Sequence, residues 1–398
     1  MNKQLIINSV EKCLNWIETQ MLTFNRGSAG VYERIRIDIN QRVCWTRPDC
    51  TIEVARAMKL HKLLNNTDHY EDIYENFKNW VLSVQDNDEL SAWYGSFPFY
   101  MYDGHYVDKG SGVARYQNDN GKILICLLDL YEMTGEEELL QRACKLADYW
   151  VNIQLPEGYF YRKDNFITQA LYKGPCFVLW LAAGIMQCYY HTKNKKYLDS
   201  ARKALAYLLD LQLENGRFKT TYEIHKSEDW RPASSESAIA LFCLSRIQKY
   251  DPSERVKRAI ERVADFVISL QHESGGIVNC NENCKGASLQ EDEELCDLVY
   301  TQGFALMGLT ESYRQLGKQE YLDAAKKLGK FLISIQCQGE SELWDGGWRG
   351  SYNVVKGCWA GRSDQNNPID EGGMYSVYTG WCAATIIFGL LCLEDFIE

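Results

Sequence analysis

Several features are missing from this 398-residue chain. No apolar run reaches 18 residues, and the most hydrophobic piece, Trp381 to Leu393, is too short to cross a bilayer. No block of five or six basic residues occurs. With 43 Lys and Arg against 54 Asp and Glu, the net charge of −11 argues against tracking a phosphate backbone. Neither nucleic acid nor a membrane is therefore expected as a partner. The first twenty residues lack the uninterrupted apolar stretch of a signal peptide, so a cytoplasmic location is expected. No Pro/Ser-rich linker or shift of composition divides the chain, which implies a single domain over residues 1–398. No stretch is rich enough in strand formers to build a large sheet. The six histidines form no H-x3-H pair.

Cysteine and aromatic residues are abundant. The 15 cysteines are odd in number and irregularly spaced, and Cys126, Cys188, Cys243 and Cys392 lie inside apolar helical runs. This is the pattern of reduced, buried thiols rather than of a disulfide framework. Cys280 and Cys284, with Cys296 downstream and His272 upstream, would be the material of a zinc site, but their spacing is not that of a zinc finger. No metal and no cofactor is expected. The 25 Tyr, 14 Phe and 11 Trp exceed what a core of this size needs, and surplus rings commonly line a groove that stacks sugar or prenyl groups.

A repeat runs through the whole chain. A glutamine closes an amphipathic run at Gln20, Gln85, Gln154, Gln212, Gln271 and Gln336, in most copies before a Gly-containing turn and an aromatic or apolar residue. The intervals are 65, 69, 58, 59 and 65 residues, so six units tile the sequence. In each unit the run ending at the glutamine carries apolar residues at i, i+3, i+4 and i+7 with charges opposite, the signature of a half-exposed helix. A second run in each unit is apolar on most faces and belongs inside: Thr51–Leu64, Gly121–Met133, Pro175–His191, Ser235–Tyr250, Tyr300–Leu316 and Tyr375–Leu393. Pro48, Pro175 and the Pro232–Ser235 segment supply helix-opening chemistry. The expected fold is all-α, an (α/α)6 barrel, or toroid, of six outer–inner helical hairpins. Its inner helices should all begin at one mouth, gathering the loops there into a funnel.

The six hairpins, the Q-x3-G-type turns and the Trp/Tyr-rich helix starts resemble the six-hairpin glycosidase superfamily, over the whole chain and at the level of architecture. The resemblance implies an enzyme that cleaves polysaccharides or oligosaccharides in a funnel at the barrel mouth. The turns are also faintly similar to the repeats of terpene cyclases and to the toroid of prenyltransferase β subunits. No Asp-x-Asp-Asp or DDxxD motif is present, and only WDGGW after Gln336 has the tryptophan a cyclase repeat would want. No catalytic residue is carried over by motif.

A glycosidase needs one carboxyl group to protonate the leaving oxygen and another to activate water or attack, so the candidates are Asp and Glu at inner-helix starts. These are Asp49, Asp119, Glu236 and Asp297; Asp364, Asp370 and Glu371 lie in the long loop before the last helix. Each has a competing bland role. Asp49 sits in a first turn where a carboxylate suits the helix dipole, Asp119 fits an Asx turn, and Glu236 fits a capping box. Trp45-Thr-Arg-Pro-Asp49 and Arg115-Tyr-Gln-Asn-Asp119 each place an aromatic, a guanidinium and a carboxylate within five residues, and repulsion between the two aspartates should raise one pKa to make it the acid. Candidate substrate-binding residues are Trp45, Arg47, His105, Arg115, Tyr116, Tyr172, Tyr300, Trp344, Trp348 and Trp381. Arg34, Arg36, Arg47 and Arg115 suggest capture of an acidic group, or else ion pairing with Glu33, Asp38 and Asp49.

The expected function is a glycoside hydrolase acting on an oligosaccharide that contains an acidic, uronic-type sugar. The alternatives are a lyase acting on a uronide, an isoprenoid-handling toroid and a non-catalytic sugar-binding protein. The oligomeric state is left open.

Overall fold

The computed structural model describes residues 1–102, 114–160, 173–225, 232–280, 293–361 and 373–397. Six outer helices alternate along the chain with six inner ones. The outer helices are α1 (Lys3–Trp16), α3 (Glu71–Ser83), α5 (Glu137–Asn152), α7 (Lys195–Leu209), α9 (Glu254–Ser269) and α11 (Gln319–Ser334). The inner helices are α2 (Pro48–Asn65), α4 (Gln117–Thr134), α6 (Pro175–Thr192), α8 (Ala233–Tyr250), α10 (Gly303–Leu316) and α12 (Thr385–Glu394). Each inner helix packs on the next, and α12 packs back on α2, so the inner set closes into a ring. This is the (α/α)6 toroid expected from the repeat. No helix among the described residues is long and apolar enough to cross a membrane.

In space, each outer helix lies against the inner helix that precedes it, and α1, at the start of the chain, lies against α12 at its end. The repeated glutamine explains how neighbouring hairpins join. The side-chain amide of Gln154 donates to the carbonyl of Gly158 in its own turn (2.9 Å) and to that of Ser200 in the next outer helix (3.0 Å). Gln212 does the same with Gly216 and Ala259, and Gln271 with Gly275 and Ala324. Gln85 reaches Gly95 and Arg142, and Gln336 reaches Gly346 and Ser9, which closes the ring. One amide thereby gives the turn glycine's carbonyl a donor and adds a second hydrogen bond to a helical carbonyl of the next hairpin.

The glycine of each turn is required twice over. Gly95, Gly158, Gly216, Gly275 and Gly346 all have φ between +91° and +111°. A Cβ there would also stand 2.1–2.5 Å from a carbonyl oxygen of the next outer helix. Two residues on, Phe97, Phe160, Phe218, Ile277 and Trp348 are buried as anchors. Gln20 departs from the pattern: α1 runs on into a wide π-type turn at Ile17–Met21, and it is Thr23 that holds the following loop, through the Gly30 carbonyl (2.7 Å).

Two expected helices begin differently. Tyr375–Leu393 opens as a strand, and both it and Tyr300–Leu316 pass through a π-type turn (Leu298–Gln302, Thr379–Ala384) before the α-helix starts. Short strands decorate the mouth: β1 (Tyr32–Arg36), β2 (Gln41–Thr46), β3 (Met101–Tyr102), β4 (Leu295–Asp297), β5 (Ser351–Asn353), β6 (Cys358–Trp359) and β7 (Ser376–Tyr378). They form antiparallel sheets in the orders β3-β2-β1-β7 and β4-β5-β6. Between Tyr32 and Arg34 the β1–β2 register shifts, with an extra residue in β2 beside Trp45.

Inside the ring, Trp180 of α6 contacts Phe242 of α8 and Phe304 of α10, and Phe304 in turn meets Trp381, at centroid distances of 5.3–5.9 Å. At the far end, where inner helices finish, Asp129 pairs with Arg56 and Arg246, and Glu132 pairs with His191 and Lys249. These charges stand beside a cavity of about 220 Å³ that Leu60, Met133, Phe242 and Met307 also line.

Candidate active site

At the mouth, Pro48 opens α2 and so fixes Arg47 and Asp49 on either side of the helix start. Arg47 grips Asp49 in a two-point fork, Nε to Oδ1 at 3.0 Å and Nη2 to Oδ2 at 2.9 Å. The same Nη2 lies 3.0 Å from Oδ1 of Asp119, in the first turn of α4, and Nη1 donates to Glu33 at 2.9 Å. Two further donors reach Asp49 Oδ2: the Trp381 indole at 2.9 Å and Lys122 Nζ at 3.3 Å. Lys122 also pairs with Glu53 at 2.7 Å and sits over the Trp381 ring, 3.4 Å from its centroid. All of these charged groups are buried.

This environment sets the charge of Asp49. Burial alone pushes the Asp49 carboxyl up, but Arg47 and Lys122 outweigh it and hold the group below the usual carboxylate range. Glu53 is the carboxyl that moves up, because burial exceeds the pull of Lys122. Asp49 therefore does not acquire the raised pKa of a general acid; it is the anion around which Arg47, Lys122 and Trp381 are arranged.

An aromatic wall stands beside this cluster. Trp45 stacks on Tyr100 with centroids 5.0 Å apart, Tyr100 meets Phe99, and Phe99 meets Tyr116 edge to face at 4.7 Å. The Arg47 guanidinium lies over Phe99 at 4.5 Å, tying the wall to the carboxylates. All four rings are half-buried, so each keeps a face or edge toward solvent. Tyr300 packs on Trp381 at 5.4 Å. Of the residues singled out in the sequence, Trp45, Arg47, Asp49, Tyr116, Asp119, Tyr300 and Trp381 thus come together.

Others go elsewhere. Glu236 is buried and accepts from the Cys176 backbone N–H (2.8 Å) and the Thr221 hydroxyl (2.9 Å), joining the starts of α6 and α8. Asp297 caps its own turn, accepting from the N–H groups of Val299 and Tyr300, and receives the Ser235 hydroxyl at 3.3 Å. Arg115 turns away to the Ser96 hydroxyl and the Trp93 ring. Trp348 has no exposed surface and donates its indole N–H to the Leu332 carbonyl, so it is a turn anchor and offers no face to a sugar. Trp344 donates to Glu340, on the loop after α11. Arg36 pairs with Asp38, and Arg34 donates to the Tyr378 hydroxyl. His105, Tyr172, Cys284, Asp364, Asp370 and Glu371 lie outside the described residues.

Sequence reasoning did not single out Glu53, Phe99, Tyr100 or Lys122. Lys122 had a readable signal, a lone cation at the head of the apolar run Ile123–Leu128. Phe99 and Tyr100 carried none, since they follow a turn and precede no helix start.

No family model matches the chain, and no curated protein matches it. Solved structures do, across nearly its whole length. A cellobiose 2-epimerase from Bacillus thermoamylovorans superposes with a TM-score of 0.72 at 10% identity, covering 98% of this chain and 99% of that one. A GH76 α-mannanase from Bacteroides thetaiotaomicron gives 0.69 at 12% identity, covering 98% and 96%. A UGL with dGlcA-Glc-Rha-Glc gives 0.64 at 13% identity, also covering 98% and 96%. The fold shared with these structures is the (α/α)6 toroid that the repeat led us to expect. At these identities the likeness is one of fold.

Proposed function

We propose that the mouth is the active site of a carbohydrate-active enzyme, a glycoside hydrolase acting on an oligosaccharide that contains a uronic-type sugar. The observation that carries this reading is the sharing of one guanidinium by two carboxylates. Arg47 Nη2 touches both Asp49 Oδ2 and Asp119 Oδ1, so one buried cation fixes where both carboxylates stand at the mouth. The half-exposed wall of Trp45, Phe99, Tyr100 and Tyr116 beside them suits a sugar ring, which stacks its C–H face on aromatics. A mouth this rich in buried charge does not suit an isoprenoid. The solved structures of similar fold support the carbohydrate class.

The roles of the two carboxylates differ in this reading. Asp119 meets the substrate and handles its proton or water. Asp49 is a positioning residue: it holds Arg47, Lys122 and Trp381, and through Arg47 it sets where Asp119 stands. The test is a screen of uronate-containing oligosaccharides for release of reducing ends, with ultraviolet absorbance followed in parallel. Active protein should release reducing ends without new absorbance, and Asp119→Asn should lower turnover per folded molecule at least about a hundredfold. Appearance of an unsaturated-uronide band would reassign the reaction to a lyase. Full turnover by Asp119→Asn would remove Asp119 from the chemistry.

A further inference from the structure

A second constellation lies on the rim, away from Asp49 and Asp119. On the loop after α11, the Glu340 carboxylate receives three donors. The Trp359 indole reaches Oε1 at 3.2 Å and the Trp344 indole reaches Oε2 at 3.1 Å. Arg349 Nη2 also donates to Oε2. Two indole N–H groups and a guanidinium converging on one carboxylate make a well-formed anion cradle. It is not sealed: Glu340 keeps 31% of its side-chain surface exposed and Arg349 keeps 16%. The Arg349 fork is also only half used, because Nε is buried and has no partner among the described residues. A carboxylate arriving from outside could take Nε and Nη2 together, the bidentate geometry Glu340 does not achieve.

The backbone under Glu340 is fixed independently of its side chain. Asp345 accepts from the N–H groups of Gly339, Glu340 and Ser341 at 2.7–3.2 Å. Only the Glu340 side chain must swing aside for the cradle to open. The cradle also belongs to the mouth end of the ring. Trp359 lies in β6, in the sheet whose β4 runs into the turn before α10, and Arg349 bridges Val377 in β7, which leads to α12.

We infer that Glu340 occupies, from within the chain, a binding site for the carboxylate of a uronic sugar, with Arg349, Trp344 and Trp359 as its donors. This deepens the proposed function and rests on its carbohydrate class. Arg349 is paired too, with Glu340, but its Nε has no partner among the described residues, and that donor suits it to reading an acidic group. Trp359, half-buried and packed edge to face on Tyr352 at 5.1 Å, supplies an aromatic surface beside the charge. Glu340 then acts as a built-in competitor that lowers apparent affinity by the fraction of time it fills the cradle.

The experiment is a calorimetric titration with D-glucuronate, with glucose and acetate as controls. Glu340→Ala should bind glucuronate at least about tenfold more tightly than the unaltered chain and more tightly than it binds either control. Adding Arg349→Met should abolish the gain. The titration reads binding without turnover, so failure of the cradle and failure of the mouth chemistry are separately visible. Equal affinity of Glu340→Ala and the unaltered chain for glucuronate overturns the proposal, and so does acetate binding as tightly as glucuronate. Should Glu340→Ala fail to fold, the isosteric Glu340→Gln takes its place and the same results decide.

Discussion

The Gln336 side-chain amide donates to the Ser9 carbonyl at 3.0 Å, and the Ser9 hydroxyl donates back to Gln336 Oε1 at 2.8 Å. These residues stand 327 apart in sequence, and their exchange joins the last glutamine turn to the first helix. Four other glutamines make the equivalent seam between neighbouring hairpins.

Removing such an amide takes the donor from the turn glycine's carbonyl and unties the turn from the next outer helix. Gln271→Ala and Gln336→Ala should each cost about 1–3 kcal/mol in urea unfolding. Gln20→Ala, which breaks no such clamp, should stay within about 0.5 kcal/mol. Equal losses at Gln20 and Gln271 would deny the clamp its role.

The turn glycines separate two effects. Gly317 has φ +68° with nothing within 4 Å of a built Cβ, whereas a Cβ on Gly216, at φ +91°, would stand 2.1 Å from the Arg262 carbonyl. Gly317→Ala should therefore cost about 1–2 kcal/mol, the strain of left-handed backbone alone. Gly216→Ala should cost clearly more, because a backbone carbonyl must also move. Thermal melts of the two variants compare them directly.

Acid should weaken the fold from both ends of the ring. Burial pushes Glu132 up, but the hydrogen bond from His191, the charge of Lys249 and the Tyr250 hydroxyl together bring it far below the usual carboxylate range. Asp49 is likewise lowered. A carboxyl with a lowered folded pKa contributes stability that is present above its unfolded value, near pH 4 to 4.5, and is lost as pH falls through the folded value. Urea midpoints measured from pH 7 downward should hold until about pH 4.5 and then drop. Glu132→Gln should start lower at pH 7 and drop less.

Asp49→Asn should behave unlike Asp119→Asn. It strips the buried Arg47 and Lys122 of their shared anion, and breaking a buried pair in this way costs about 3–5 kcal/mol. A loss of turnover accompanied by a large fall in melting temperature is expected. A melting temperature equal to that of the unaltered chain would show that the network tolerates a neutral centre.

The periodic part of the architecture was legible because each unit repeats one physical solution: an amphipathic helix, a glutamine that caps its turn, a glycine where no side chain fits, and a buried anchor. The starts of the last two inner helices were not legible. Ser376–Tyr378 becomes a strand because β1, some 340 residues earlier, offers it an edge, and an apolar run does not announce so distant a partner. At the site, Arg47, Asp49 and Asp119 could be picked out because helix starts face the mouth. The part of Lys122 could not, because that cation arrives at Asp49 from the next inner helix. Trp348 misled for a related reason: in sequence it is an aromatic beside glycines, and only its equivalence to Phe97, Phe160 and Phe218 reveals an anchor.

The order of synthesis has a consequence for the ring. The apolar stripe of α1, Ile6, Val10, Cys13 and Leu14, is wholly buried against elements from the far end of the chain, α11 and α12. Of the six outer helices, α1 is therefore made before the others yet meets its inner partner last, and it stays uncovered until Thr385–Glu394 has been made. A chain cut short anywhere before that point keeps the stripe bare. Until the ring closes, Ile6, Val10, Cys13 and Leu14 form an apolar surface open to solvent and to other chains.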